Sequence, residues 1–270
     1  MRHTGEPRKP PKARVLYLGD WFFNFGSVFI QTPFGMEARS YAMHFSGTKL
    51  VQALEPHAEV NCLASWELHR LQPGRFETML KKTDIVIVSD CEAKHFQLYP
   101  SFFEVSSTRM VVPSYPDRLV SLKNWVAAGG GLMMLGGWLS FSGMEEKAGW
   151  RRTPTAEALP VSCLIGDDRV DSSAGFTPEV LMPNHGLIKG LPWRSFPRIF
   201  GYNEVVSKPG SNLLVRVRET GHPLLVTGEW GRGRICVYAS DPAPYWGINF
   251  EQWEGYGPFW RRVLAWLLDR

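Results

Sequence analysis

Apolar residues along this chain cluster in short runs separated by glycine, proline and charge. The densest lies at Gly129-Gly130-Gly131-Leu132-Met133-Met134-Leu135-Gly136-Gly137-Trp138. A glycine triplet that can end a helix leads into four large apolar residues, and a glycine pair then lets the backbone turn sharply. This pattern predicts a buried parallel strand that stops at a tight turn. Arg14 to Asp20, Glu59 to Leu63 and Asp84 to Ser89 are similar β-rich runs. Arg75 to Lys82 predicts a short helix. Tyr115 to Ala128 predicts an amphipathic helix with Leu119, Leu122 and Val126 on one face and Gly129 as its stop. Between Glu37 and Leu54 the spacing of Ala38, Tyr41, Ala42, Phe45, Leu50, Val51 and Leu54 predicts a helical region interrupted at Gly47. Strand and helix alternate, so the expected fold is α/β, a doubly wound, mostly parallel sheet.

Two stretches depart from that rhythm. Trp21 to Phe34 is too aromatic for a solvent loop and too broken by Asn24, Gly26, Ser27 and Pro33 for a regular element. Monomers rarely leave so much apolar surface uncovered. The segment is therefore expected to wall a crevice beside Gly137 and Trp138 or to project into a neighbouring subunit, and a homo-oligomer with this segment near the interface is expected; the alternative is that it folds back on its own chain. After an excursion from Gly143 to Pro160, short β-like runs follow at Val161 to Ile165, Glu179 to Met182, Asn212 to Val217, Pro223 to Thr227 and Arg234 to Ser240. Gly228 to Gly233 reads as a hairpin connection. A helix from Pro258, at its first position, to Asp269 closes the chain. Residues 1–13 are expected to be a disordered basic tail, and residues 14–270 one domain with β-rich additions after about residue 160.

Composition narrows the classes of function. The 270 residues are 44% apolar and carry a formal charge of +4, much of it in the tail at Arg2, Arg8, Lys9, Lys12 and Arg14. The folded part shows no basic stripe, so no nucleic-acid partner is expected. No run approaches the length of a membrane span, and no apolar stretch follows the basic tail as in a secretory signal. Cys62, Cys91, Cys163 and Cys236 lie far apart without zinc spacing, which fits a reducing cytoplasm and no metal site. The glycine triplet precedes its strand instead of following it, so neither a dinucleotide fingerprint nor a P-loop is present, and no cofactor is expected.

Three segments in order carry a resemblance. Gly129 to Phe141 followed by Thr153-Pro154-Thr155-Ala156-Glu157-Ala158-Leu159-Pro160-Val161, then Asn184-His185-Gly186-Leu187-Ile188-Lys189-Gly190-Leu191-Pro192, then Pro223 to Val226 through Gly231-Arg232-Gly233-Arg234 to Ser240-Asp241 resemble the putative glutamine amidotransferase-like family. That family lies in the class I glutamine amidotransferase-like superfamily, and the resemblance implies a flavodoxin-like sheet. The superfamily's enzymes use a Gly-x-Cys-x-Gly elbow and a late His-x-Glu: the Cys attacks the glutamine amide, the His makes its thiolate and the acid orients the His. Neither motif is matched here. The elbow position falls on Gly137 or Trp138, and Leu187 stands two residues after His185.

The remaining candidates are weak taken singly. Cys91, with His95 four residues on, could form a thiol–imidazole pair on one helix face, or be a buried thiol beside a surface histidine. His185 sits in a loop, where it could face a site or hold a structural hydrogen bond. Asp20 and Asp90 end the first and third strands and could share a ligand crevice with Trp21, Gly136, Gly137, Trp138, Ser140 and Asp241; acids at strand ends also cap helices, and Ser140 also suits a turn. Trp230, Trp246 and Trp253 could form an aromatic platform or pack in the core. Two functions follow from these residues. One is an amidotransferase-like enzyme acting on a small polar substrate; the other is a non-catalytic protein on the same fold that binds a small molecule or assembles.

Overall fold

A computed structural model describes residues 12–25, 29–32, 35–38, 41–102 and 114–269, with the side chains of residues 23–42 outside that description. The chain opens with β1 (Ala13–Gly19), followed by β2 (Trp21–Phe25), β3 (Phe29–Thr32), β4 (Gly35–Ala38), β5 (Tyr41–Phe45) and α1 (Thr48–Leu54). Next come β6 (Ala58–Leu63), α2 (Ser65–Arg70), α3 (Arg75–Leu80), β7 (Ile85–Ser89), α4 (Lys94–Gln97), α5 (Arg118–Ala127) and β8 (Gly131–Leu135). The second half holds α6 (Pro154–Ala158), β9 (Val161–Cys163), β10 (Arg169–Phe176), β11 (Pro178–Val180), β12 (Ile199–Asn203) and β13 (Val205–Ser207). It ends with β14 (Asn212–Val217), β15 (Pro223–Trp230), β16 (Gly233–Tyr238) and α7 (Tyr256–Leu268).

Eight strands form one sheet in the order β11-β14-β15-β16-β8-β7-β1-β6. From β16 to β6 every pairing is parallel; β11, β14 and β15 add an antiparallel flank. The central strands β7 and β8 are buried at every position because both faces of the sheet are covered there. Val15, Tyr17, Ile85, Ile87, Met133 and Leu135 face one core, with Leu50 and Leu54 of α1 and Phe259, Trp260, Val263 and Leu267 of α7. Leu16, Leu18, Val86, Val88, Leu132 and Met134 face the other, with Phe76 of α3 and Leu119, Leu122 and Val126 of α5. The α/β architecture with a mostly parallel central sheet is as the sequence predicts.

Several local expectations are corrected. Glu37 and Ala38 lie in β4 and Tyr41 to Phe45 form β5 instead of a helix; the helix of this region is Thr48–Leu54, beyond Gly47. β5 pairs antiparallel with β2, Tyr41 opposite Phe25 and Phe45 opposite Trp21. Strand pairing thus overrides a helical spacing carried by aromatic residues that favour sheets. The stretch from Trp21 to Phe34 likewise contains two regular strands, β2 and β3. Whether it meets a second copy concerns side chains outside the described residues. Pro258 is the third residue of α7 instead of the first. Strands β10, β12 and β13 escape the apolar pattern; β10 reads Arg-Val-Asp-Ser-Ser-Ala, mostly exposed, and is defined by its pairing with β12. None of the helices among the described residues is long and apolar enough to cross a membrane.

The β15–β16 hairpin turns at Gly231-Arg232 and brings Gly233 hard against the end of α5. A Cβ at Gly233 would stand 2.1 Å from the Val126 carbonyl oxygen and 2.4 Å from that of Gly130, both backbone atoms. Nothing lies within 4 Å of a Cβ at Gly186. Gly233→Ala should therefore destabilise the chain by about 2 kcal/mol or more, and Gly186→Ala should stay within about 0.5 kcal/mol of the parent, both measured by urea denaturation.

Candidate functional site

Three parallel strands deliver an acid to the same edge of the sheet. β1 runs into Asp20, β7 into Asp90, and β16 reaches Asp241 through Ala239 and Ser240, all at the carboxyl ends where ligands bind in open α/β sheets. All three are buried, at 1%, 7% and 6% exposure. Asp20 and Asp90 have left-handed backbones with φ of 55° and 43°, a conformation that Asp tolerates better than most residues. The Tyr17 hydroxyl donates to Asp20, and the Leu139 amide donates to Asp90. The Ala243 amide donates to Asp241 at 2.8 Å. Burial pushes the Asp20 carboxyl above its usual range. At Asp90 burial is joined by the charge of Asp20, and at Asp241 by the charges of both, so these carboxyls are raised as well. A carboxyl in this cluster is held towards its neutral form because water is excluded and each neighbour carries the same sign.

The turn after β8 lies against these acids. The Gly136 amide donates to the Tyr238 carbonyl at 2.8 Å, and a Cβ on Gly136 would meet the Ala239 carbonyl oxygen at 2.3 Å. A Cβ on Gly137 would lie 2.6 Å from Asp90 Oδ1. Glycine at both positions follows from contact alone. Beyond the turn the loop is clamped by a buried polar network. Asn203 Oδ1 accepts from the Gly137 amide at 2.9 Å, and Asn203 Nδ2 donates to Asp168 at 2.8 Å. Asp168 in turn accepts from the Ser142 and Gly143 amides at 2.8 and 2.9 Å. The Ser140 hydroxyl accepts from the Asp90 amide at 3.1 Å.

A cavity of about 830 Å³ opens over this edge. Asp90 and Asp241 line it, with Phe22, Trp138, Phe200, Tyr245 and Trp246 as aromatic walls and His44, Ser46 and Asp171 to Ser173 completing the lining. Trp138 and Tyr245 stand at the mouth, 44% and 70% exposed, with near-parallel rings 6.4 Å apart. Trp246 is fixed by its indole N–H, which donates to Asp171 at 2.6 Å.

The family model described as "Putative glutamine amidotransferase" (GATase1-like) matches residues 34–269. The chain belongs to this family. No curated protein matches the GATase1-like chain in sequence. Among solved structures, the cytoplasmic protein STM1381 from Salmonella typhimurium LT2 superposes with a TM-score of 0.81 and 31% identity, covering 94% of this chain and 99% of that one. The cytoplasmic protein STM3548 from Salmonella typhimurium gives 0.82 and 28%, over 94% and 98% of the two chains. A "Putative thua-like protein" from Bacteroides uniformis ATCC 8492 shares the fold alone, at a TM-score of 0.53 and 10% identity over 99% and 95%.

In this GATase1-like chain the residues singled out in the sequence separate into three groups. Asp90, Trp138 and Asp241 line the cavity, while Asp20, Gly136, Gly137 and Ser140 lie behind its lining. Trp21 is outside it, its ring against Phe45 and Trp66. Cys91 is buried in the core on the α5 face of the sheet, and burial, then the charges of Glu92 and Asp90, push its thiol far up, away from a thiolate. The His95 ring faces His69, and the His185 ring faces Trp266 of α7; neither lines the cavity. Trp253 packs in the α7 core and Trp230 against the opposite one, leaving Trp246 as the member of that trio in the cavity. Phe200, Tyr245 and the Asp168–Asn203 clamp carry no sequence signal of their own. The run Asp-Pro-Ala-Pro-Tyr-Trp from Asp241 is the nearest thing to one, an acid at a strand end followed by a proline-stiffened aromatic pair.

The raised carboxyls set a pH dependence. In the unfolded chain an Asp titrates near about 3.9. The stability that these groups contribute is therefore present below that value and is lost as pH rises through their raised folded values, because there the folded state holds more protons. Asp241→Asn keeps the acceptor for the Ala243 amide and removes the buried charge. It should gain about 1 kcal/mol or more over the parent at pH ~8 and little at pH ~4, read from urea midpoints at the two pH values.

Proposed function

We propose that this member of the family binds a small molecule in the cavity over Asp90 and Asp241 and does not hydrolyse glutamine. The observation that carries the reading is the Asp90 carboxylate, which occupies the space any side chain at residue 137 would need. Glutamine hydrolysis requires a nucleophile at the elbow and free N–H donors for the oxyanion that forms. Gly137 offers no nucleophile. Its amide donates to Asn203 and that of Leu139 to Asp90, so these two donors are engaged within the protein. An oxyanion beside three buried acids would also meet like charge.

The strand order β6-β1-β7-β8-β16 supports a flavodoxin-like reading of the parallel half, and that topology offers its crevice where the acids stand. Four free cysteines and two neighbours named as cytoplasmic proteins support a place in the cytoplasm. A second reading is favoured by the Asp90 carboxyl, which burial and the charge of Asp20 push up to about 7: a proton held near neutral pH suits a general acid, so the bound molecule could also be turned over.

The test is incubation of the pure chain with glutamine and measurement of ammonia. No release is expected, from the parent or from Gly137→Cys. That variant should in addition lose about 1 to 3 kcal/mol of stability through the contact with Asp90. Ammonia release by the parent that disappears in Cys91→Ser would overturn the reading and return Cys91 to the chemistry.

A further inference from the structure

The cavity's lining selects by charge, and the inference drawn from it rests on the reading of that cavity as a ligand site. Asp90 and Asp241, each more than nine-tenths buried, both line it. The hydrogen bond to Asp90 from Leu139 and that to Asp241 from Ala243 both use Oδ1. Among the described residues, Oδ2 of neither acid has a hydrogen-bond partner. No lysine or arginine is found in the described lining. The Arg169 guanidinium stacks 5.3 Å from the Trp138 ring centre, but its Nε and Nη2 donate to Asp167 at 2.9 and 2.7 Å. Three acids, Asp90, Asp171 and Asp241, line the cavity with Asp20 behind them, and among the described lining residues His44 is the one basic side chain, so the acids are in excess.

A buried cluster of that kind is stabilised by a cation and opposed by an anion. A neutral polyol could hydrogen-bond to the free oxygens but would not relieve the repulsion among the acids. The rest of the lining favours the same sign, since the faces of Trp, Tyr and Phe attract cations. Phe22, Trp138, Phe200, Tyr245 and Trp246 all border this space. Its volume, about 830 Å³, leaves room for a body well beyond a bare ammonium group. We propose that the cavity binds an organic amine, with its protonated nitrogen against the Asp90 and Asp241 carboxylates and its apolar body against the Trp138 and Tyr245 rings.

Calorimetric titration of the full chain near neutral pH tests this with probes that differ in one group. Tyramine carries an ammonium at the end of its ethyl chain, para-ethylphenol a hydrogen and phloretate a carboxylate in ammonium's place; galactose represents a neutral polyol. Tyramine should bind at least about tenfold more tightly than para-ethylphenol, and phloretate most weakly. Asp90→Asn and Asp241→Asn keep their amide-accepting oxygens, and each should lose about that tenfold advantage while circular dichroism shows the fold unchanged. Equal affinity for tyramine and para-ethylphenol, a preference for galactose, or no tyramine binding would overturn the proposal. Retention of the full tyramine preference in both Asn variants would overturn the assignment to these acids. Binding of para-ethylphenol as tight as that of tyramine, or a preference for galactose, without ammonia release from glutamine would leave the small-molecule reading standing and remove only the amine.

Discussion

Mutual repulsion among Asp20, Asp90 and Asp241 is the constraint that the carboxyl edge of the sheet is built to contain. Three acids brought to one buried edge by the parallel strands β1, β7 and β16 cannot all ionise cheaply in a medium that excludes water. The chain answers locally at each of them. The Tyr17 hydroxyl donates to Asp20, a backbone amide from the turn after β8 donates to Asp90, and one from the loop after β16 donates to Asp241. Asp20 and Asp90 hold left-handed backbones, a strain on the order of 1 kcal/mol each that persists because the flanking strands are fixed on both sides.

The consequences for chemistry run through Gly137. In the superfamily's enzymes a side chain at the elbow carries the reaction; here the Asp90 carboxylate stands where such a side chain would begin. The Gly137 and Leu139 amides donate inward, to Asn203 and Asp90, and Asp168 secures the following loop through Ser142 and Gly143. The result is a rigid, acid-backed turn presenting Trp138 to the cavity. On the proposed reading the turn serves recognition and not acyl transfer, because an acyl-transfer site needs donors aimed at developing negative charge.

The β-rich second half is part of this arrangement and not an ornament on a complete domain. β10 supplies Asp171 to Ser173, β12 supplies Phe200 and Asn203, and the loop after β16 supplies Pro244 to Trp246. Trp246 is tied to β10 through Asp171, so the outer wall is braced across two segments far apart in sequence. The parallel half alone would present acids at an open edge. The additions turn that edge into a cavity with aromatic sides.

The amino-acid sequence by itself determined the strands that are buried on both faces. Leu16 to Leu18, Ile85 to Val88 and Leu132 to Leu135 are apolar without alternation, and only a covered parallel sheet accommodates such runs. It also marked Asp20, Asp90 and Asp241 as strand-end acids and Gly136-Gly137 as a turn, because glycine and strand-end acids leave local signatures. Local pattern could not supply the partners of weakly patterned segments. Tyr41 to Phe45 has helical spacing yet pairs with Trp21 to Phe25, and Arg169 to Ala174 has almost no apolar pattern yet forms β10 against β12. Nor could it show which distant side chains converge. Phe22, Phe200 and Trp246 reach one cavity from three separate elements, while Cys91 and His185 turn to other surroundings, and both outcomes are decided by packing between segments remote in the chain.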